Sequence, residues 1–192
     1  MQRGMWPNMP ILGVIASAIS GNLEVGSFDS IATFVSPGAA SVTFSSIPST
    51  YKHLQIRGIA NNGETSGYNN QGLRFNGDTS SSYSVHRLTG DGATPTAGSQ
   101  TSATQINDIF RIPPTSSGYF GAFVIDILDY TSTSKTKAVR VYTGGDSNGS
   151  GWIGIHSGLW YATPTAITSI TINSSVGNFG TNSSFALYGI KG

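Results

Sequence analysis

Hydrophobic and polar residues alternate over short segments from residue 28 to the end of the chain. Clusters of Gly, Asn, Asp, Ser and Pro separate these segments. Such alternation is typical of half-buried β-strands, because successive side chains of a strand point to opposite faces. No segment after residue 27 keeps a helical period. The pattern therefore predicts an all-β fold, a jelly-roll-like β-sandwich of about ten short antiparallel strands.

Two turns in the first half of this pattern predict hairpins. Residues 30–35 and 41–47 flank a Ser-Pro-Gly turn that contains Gly38. The strands on either side of residue 77 flank Asn76-Gly77-Asp78, a strong turn signal because Asn and Gly accept positive φ angles. Asp78 is also expected to cap the short turn over residues 79–82.

The second half of the chain contains one predicted loop and the strongest strand. Residues 89–103 are poor in apolar side chains, which predicts an exposed loop, and residues 104–112 are predicted to form a strand. The strand at residues 119–130 contains a near-continuous apolar run, which predicts burial on both faces. Further strands are predicted at residues 136–143, 152–161, 166–173 and 183–190.

Residues 1–27 differ from this pattern and are predicted to form an apolar N-terminal extension. The apolar run is too short to span a bilayer, and a weak positive region and two prolines disfavour a secretory signal. Several apolar residues fall on one face of a short helix. We expect them to dock on a partner or on copies of the chain; the alternative is that they cover their own domain. The predicted docking residues are Trp6, Ile11, Leu12, Ile15, Ile19 and Leu23.

The composition excludes several classes of protein. Charged residues make up only 10% of the chain and the net charge is +1. A nucleic-acid-binding protein usually has a clustered basic face, so neither nucleic acid nor a membrane surface is an expected partner. Cysteine is absent, which excludes disulfides and thiolate chemistry. The 48 Ser and Thr residues, 12 Asn and 25 Gly favour strands and turns.

Three patterns raise the question of catalysis. Gly145–Gly149 matches Gly-x-Ser-x-Gly around Ser147, but a hydrolase elbow needs a following helix, and here a turn and strand are predicted. The histidines His53, His86 and His156 lie on different predicted strands, where a surface or hydrogen-bonding role is more common than catalysis.

Asp126 and Asp129 lie three residues apart on a predicted strand, so they point to opposite faces. One of them is expected to meet an Arg or Lys from a neighbouring strand or subunit. Asp78, Asp91 and Asp146 lie in polar loops but form no contiguous calcium motif. We therefore expect no enzyme, no metal site and no cofactor.

Aromatic residues near strand ends could contact a sugar. Trp152, Trp160 and Tyr161 lie beside polar loops, where exposed rings would suit stacking on a glycan. Buried rings would instead fill the core or a subunit interface, which is the favoured interpretation.

Several framework segments together resemble small β-rich virion proteins of tailed bacteriophages. They are residues 45–57 (SSIPSTYKHLQIR), 73–78 (LRFNGD), 123–130 (FVIDILDY) and 184–192 (SFALYGIKG). The resemblance implies a structural component of the virion surface, such as a capsid decoration, head fibre or tail fibre, and brings no catalytic residues.

On this basis the expected function is that of a bacteriophage virion structural protein. Residues 1–27 would anchor it to other virion proteins of the capsid or tail, and residues 28–192 would form the exposed β-sandwich. A homotrimer is expected because trimers are common among fibre and decoration proteins of this architecture. The alternative is a receptor- or carbohydrate-binding module without catalytic activity, which would bind a host surface glycan.

Overall fold

The computed structural model describes residues 26–192. The docking residues predicted in the N-terminal extension lie outside the described residues: Trp6, Ile11, Leu12, Ile15, Ile19 and Leu23.

The described chain forms two antiparallel sheets, which confirms the predicted all-β sandwich. The large sheet has eight strands in the order β1-β12-β3-β8-β9-β10-β5-β6, and the small sheet has four in the order β2-β11-β4-β7. The strands are β1 (Phe28–Val35), β2 (Ser41–Phe44), β3 (His53–Ala60), β4 (Asn69–Phe75), β5 (Tyr83–Gly90), β6 (Pro95–Ala103), β7 (Arg111–Ile112), β8 (Gly121–Ile127), β9 (Lys137–Asp146), β10 (Gly151–Trp160), β11 (Ile170–Ser174) and β12 (Ser184–Ile190).

The core lies between the two sheets and is formed by the inward-facing side chains of each strand. Leu54 and Ile56 of β3 and Ile125 of β8 are fully buried, as are Leu73 and Ile172 of the small sheet. Burying each such side chain contributes about 1.5–3 kcal/mol. The core therefore follows directly from the two-residue period.

Both predicted hairpins are wrong, although the turns themselves form. β1 pairs with β12 and β2 pairs with β11, so the chain changes sheet between Val35 and Ser41. β4 and β5 also lie in different sheets. Asn76 and Gly77 do take positive φ angles. Turn residues set the local direction of the chain, whereas the sheet that each strand joins depends on distant partners.

The loop predicted at residues 89–103 is also wrong. β6 occupies Pro95–Ala103 and pairs with β5 as the outer edge of the large sheet. It is polar because most of its residues are solvent-exposed. The strand predicted at 104–112 is reduced to the two residues of β7. The segment before it is irregular but buries Ile106, Ile109 and Phe110.

The predicted two-sided burial of β8 is wrong for the single chain. Phe123, Ile125 and Ile127 are buried on the inner face, whereas Ala122 is exposed and Val124 only half-buried. The apolar run therefore extends onto the outer face of the large sheet.

The candidate site forms where the large sheet extends beyond the small sheet. The small sheet has half as many strands as the large one, and its last strand, β7, has only two residues. Near Tyr83 and Trp160 the large sheet packs on Phe75 of β4. Farther along β5 and β10 the inner face meets a cavity instead of a packed layer.

Candidate functional site

The candidate site is a cavity of about 260 Å³ between β5 and β10 on one side and β4 and β7 on the other. We call it the Arg111 cavity. Thr89 and Thr96 also line it, and the exposed Thr96 marks its open side. Its remaining lining residues are Asn70, Arg87, Asp108, Arg111, Trp152 and His156.

One wall is formed by two rings on β10. Trp152 and His156 are four residues apart, so both face inward, and their ring centroids are 5.8 Å apart. Gly154 lies between them. A Cβ at Gly154 would be 2.6 Å from Nε2 of His156 and 2.8 Å from the Trp152 ring. Because Gly154 has no side chain, the two rings can approach each other above the strand.

Arg111 forms the opposite wall from the edge of the small sheet. It is directly opposite Asn70 in the β4–β7 pair. Its guanidinium carbon lies 5.6 Å from the ring centres of both Tyr68 and Trp152, a distance at which a cation is attracted to an aromatic face. These contacts hold the half-buried guanidinium at the cavity.

The two arginines of the cavity differ in their partners. Nη1 of Arg87 is 2.7 Å from Oδ2 of Asp108, an ion pair in which both side chains are partly exposed. Arg111 makes no ion pair with a carboxylate within residues 26–192. Arg87 and Asp108 neutralise each other, which leaves one positive charge in the cavity.

His156 is neutral at pH 7 because of its position. Burial lowers the pKa of His156 to about 4, and the charge of Arg87 acts in the same direction, while Asp108 opposes the shift. The backbone of Asp108 is close enough to oppose the shift but not in hydrogen-bonding geometry. A neutral imidazole has one donor and one acceptor, and both ring nitrogens of His156 are buried.

The cavity concentrates unsatisfied polar atoms. Within the described part of the chain, seven buried side-chain nitrogen or oxygen atoms have no hydrogen bond of good geometry, and one of them, Oδ1 of Asp129, is in an ion pair with Lys52 at 3.2 Å. Four of them belong to the cavity lining: Oδ1 of Asn70, Nε of Arg111 and both ring nitrogens of His156. Buried polar groups are normally hydrogen-bonded, so this concentration distinguishes the cavity lining from the rest of the interior.

Ser147 lies in the tight turn between β9 and β10 and not at a hydrolase elbow. Its backbone N–H donates to the Ser150 carbonyl at 2.7 Å. Its hydroxyl is 2.7 Å from the Tyr68 hydroxyl, and a strand follows the turn instead of a helix. Ser147 therefore has the surroundings of a turn residue.

Asp126 of β8 and Asp129 just after it both have basic partners, whereas such a partner was expected for one of them. Asp126 accepts hydrogen bonds from Gln55 at 2.7 Å and from Arg140 at 3.2 Å. Asp129 contacts Lys135 and Lys52, whose hydrogen bonds lower the pKa of Asp129 to about 2. These contacts support a structural role for both carboxylates.

The loop aspartates accept hydrogen bonds from their own turns. Asp78 accepts from the Ser80 N–H, Asp91 from the N–H groups of residues 93 and 94, and Asp146 from the Gly149 N–H. Within residues 26–192, no group of three or more possible ligands is arranged to hold a metal ion.

The three predicted glycan contacts do not share one surface. Trp152 lines the Arg111 cavity. Trp160 is buried, stacks on Tyr83, and donates from Nε1 to Asp78 at 2.7 Å. Tyr161 is partly exposed, and its hydroxyl donates to the Ser81 carbonyl. Only Trp152 lies at the candidate site.

A second feature is an apolar row across the outer face of the large sheet. Residues directly opposite each other on adjacent strands share a face. Leu88, Tyr142 and Ile155 are 55%, 59% and 57% exposed. These three residues and two more lie directly opposite one another on five adjacent strands, in the order Ala97, Leu88, Ile155, Tyr142 and Val124. We call this the outer row.

No family model, no curated protein and no solved structure matches this chain. In the described part of the chain, no helix has the length and apolar character needed to cross a bilayer.

Proposed function

We propose that this chain is a non-enzymatic structural protein of a tailed-bacteriophage particle, exposed on the virion surface as a capsid-decoration, head-fibre or tail-fibre component. Residues 1–27 would attach it to other virion proteins, and the sandwich would assemble as a homotrimer. The observation that carries the proposal is the outer row, because a contiguous exposed apolar surface commonly marks an interaction site.

The proposed occupant of the outer row is a second copy of the chain. Ile153 is 51% exposed and lies beside the row; with Leu88, Tyr142 and Ile155 it lines a shallow depression of about 240 Å³. The row is flanked on the same face by Arg140 and Asp126. A face with an apolar centre and charges of both signs beside it is able to pack against other copies of the chain around a symmetry axis.

Self-association is tested with the full chain by analytical ultracentrifugation. The variant Ile155→Thr removes apolar surface from the outer row without changing the β-branch. Val176→Thr is the matched control, since Val176 is 53% exposed but outside the row. We expect Ile155→Thr to dissociate at concentrations at which wild type and Val176→Thr still sediment as trimers. A monomeric wild type, or equal association of both variants, would contradict the assembly.

Immunogold labelling with an antibody against residues 28–192 tests the place of the chain on the particle. The sample is intact phage purified from a lysate of cells that express the chain. Gold over the heads supports a decoration or head-fibre role, and gold on the tails supports a tail-fibre role. Particles without gold and without the chain by mass spectrometry would refute the virion proposal.

The second candidate function is a receptor- or carbohydrate-binding module without catalytic activity. The Arg111 cavity favours it, because convergent polar groups beside an aromatic wall are typical of small-ligand sites. The two functions are compatible, since the cavity lies on the inner face of the large sheet and the outer row lies on the other.

A further inference from the structure

The outer face of the large sheet is divided into levels along its strands. Two residues beyond the outer row lies a second apolar row, in which one residue of each of the eight strands takes part and none is charged. Its apolar members are Val35, Ile59, Ala122, Ile153 and Pro95, and the other three are two glycines and a serine. The two rows contain six of the ten well-exposed large apolar residues of the described chain, so exposed apolar surface is concentrated in this band.

The level on the other side of the outer row is polar across the whole sheet, and we call it the polar row. It has one residue from each of the eight strands, all with polar side chains, among them Gln55, Asp126 and Arg140. Arg57, which continues the outer row onto β3, directs its guanidinium to this level: Nε donates to Gln55 at 2.6 Å, and the guanidinium carbon is 5.4 Å from the Tyr188 ring centre. Polarity on this face therefore changes along the strands and not across them.

This division selects the direction of a symmetry axis between copies. In a ring of three copies, each copy presents one half of its face to the next copy and the other half to the previous one. An axis perpendicular to the strands would pack the polar row of one copy against the second apolar row of the next, and burying polar groups without partners is costly. Rotation about an axis parallel to the strands keeps every residue at its own level, so apolar rows meet apolar rows.

An axis over the middle of the sheet, between β8 and β9, also matches the side chains within each level. Strands at equal distances from the middle then meet, β8 with β9 of the partner subunit and β3 with β10. In the polar row this brings Asp126 against Arg140 of the partner subunit, and in the second apolar row it brings Ile59 against Ile153 of the partner subunit. The Arg140 and Asp126 side chains are 69% and 25% exposed, so both retain surface for a contact between copies.

The face is large enough for such an assembly. Eight strands span about 34 Å, and eight residues along a strand span about 26 Å, which gives a face of about 900 Å². A standard interface buries about 800 Å² on each partner. Three faces of this width arranged as a triangle place the middle of each about 10 Å from the axis, and the long side chains of Tyr142 and Arg140 extend into that space.

From these observations we infer that three copies assemble around an axis that runs parallel to the strands and over the middle of the large sheet. Each level of the outer face packs against the same level of its neighbours. The two apolar rows form the centre of the interface, and alternating Asp126 and Arg140 side chains form a ring at the polar level. The inference rests on the proposed self-association and adds to it the arrangement of the copies.

Cross-linking of engineered thiols tests whether equal levels meet, and the chain contains no cysteine of its own. The full-length variant Ile59→Cys/Ile153→Cys has one thiol on each half of the face at the same level. The matched control, Ile59→Cys/Ser157→Cys, uses the same two strands but moves the second thiol about 13 Å along β10. The reagent is a bismaleimide too short to span the about 14 Å between β3 and β10 within one chain.

We expect covalent trimers on a denaturing gel from the same-level variant and monomers from the control. Covalent trimers from the control alone would overturn the direction of the axis. Covalent dimers as the largest product would overturn the three-fold arrangement. A same-level variant that sediments as a trimer but yields no linked product would overturn the matching of levels.

Reversal of one charge tests the ring without engineered cysteines. Arg140→Asp leaves only carboxylates at the centre of the polar row, and we expect it to dissociate at a concentration at least about tenfold higher than wild type. Asp126→Arg/Arg140→Asp restores alternating charges and should recover association. Arg74→Asp makes the same change of charge on the outer face of the small sheet and should associate like wild type. Unchanged association of Arg140→Asp, or no recovery in the double variant, would overturn the ring.

Failure of the arrangement and failure of the proposed function give different results. A wild type that sediments as a monomer contradicts the self-association itself, and the arrangement with it. A trimeric wild type whose same-level thiols do not link contradicts the arrangement alone, and particle labelling does not depend on either result.

Discussion

The buried His156 makes the stability of the fold sensitive to mildly acidic pH. Its side chain is only 2% exposed, and neither ring nitrogen has a hydrogen-bond partner within the described residues. Burial lowers the pKa of His156 from 6.5 to about 4. Between these values the unfolded chain binds a proton that the folded protein does not, so the free energy of unfolding decreases as the pH falls.

The magnitude follows from the difference between the two pKa values. One pKa unit corresponds to about 1.4 kcal/mol, so a shift from 6.5 to about 4 contributes about 3 kcal/mol. This contribution is complete above pH 6.5 and is lost as the pH falls through about 4. Between pH 7 and pH 4.5 we expect a loss of about 2 kcal/mol from this group alone.

Urea denaturation across this pH range measures the effect. His156→Gln removes the buried titrating group, and His86→Gln removes an exposed histidine of the adjacent strand. We expect wild type and His86→Gln to lose stability in parallel between pH 7 and pH 4.5, and His156→Gln to lose about 2 kcal/mol less. The protein concentration is kept constant, because self-association changes apparent stability.

One result would refute this account of His156. If His156→Gln loses as much stability as wild type between pH 7 and pH 4.5, the imidazole is not held neutral by burial.

Three other substitutions test individual contacts, each by urea denaturation at pH 7. Asp78→Ala should cost about 2–3 kcal/mol, because the Nε1–H of Trp160 loses its acceptor in the core. Gly154→Ala should cost about 1–3 kcal/mol by forcing apart the cavity rings, whereas Gly90→Ala, where a Cβ would meet only Ile153 at 3.8 Å, should be nearly neutral. Lys135→Ala should cost less than about 1 kcal/mol, because its ion pair is solvent-exposed.

The strands could be predicted from the sequence more reliably than their partners. Period-two alternation locates most of the strands because burial of one face imposes it. The turn at Asn76 was predicted from backbone preference, and its positive φ confirms it. The pairing of β1 with β12 could not be predicted, because it depends on residues more than 140 positions apart. β6 was missed because an exposed edge strand has no apolar face.

The cavity could be predicted only in part. Along β5 the inward-facing residues are first the buried Tyr83 and Val85 and then the polar Arg87 and Thr89. On β10 the polar His156 also faces inward. Polar residues on an otherwise apolar face are a signal of a site, and this signal is present in the sequence. The position of Arg111 beside Trp152 and His156 was not predictable, because it depends on the strand order of both sheets.

The unequal width of the two sheets accounts for both surfaces on which the proposals rest. The extra strands of the large sheet have an inner face that the small sheet does not fully cover, where the Arg111 cavity forms, and an outer face that carries the outer row. β1 and β6 are the opposite edges of this eight-stranded sheet, about 34 Å apart at the usual strand spacing. Residues 1–27 precede β1 in the chain, whereas Thr96 of β6 lines the cavity. Attachment through the residues that precede β1, as proposed, would therefore leave the cavity near the opposite edge of the large sheet.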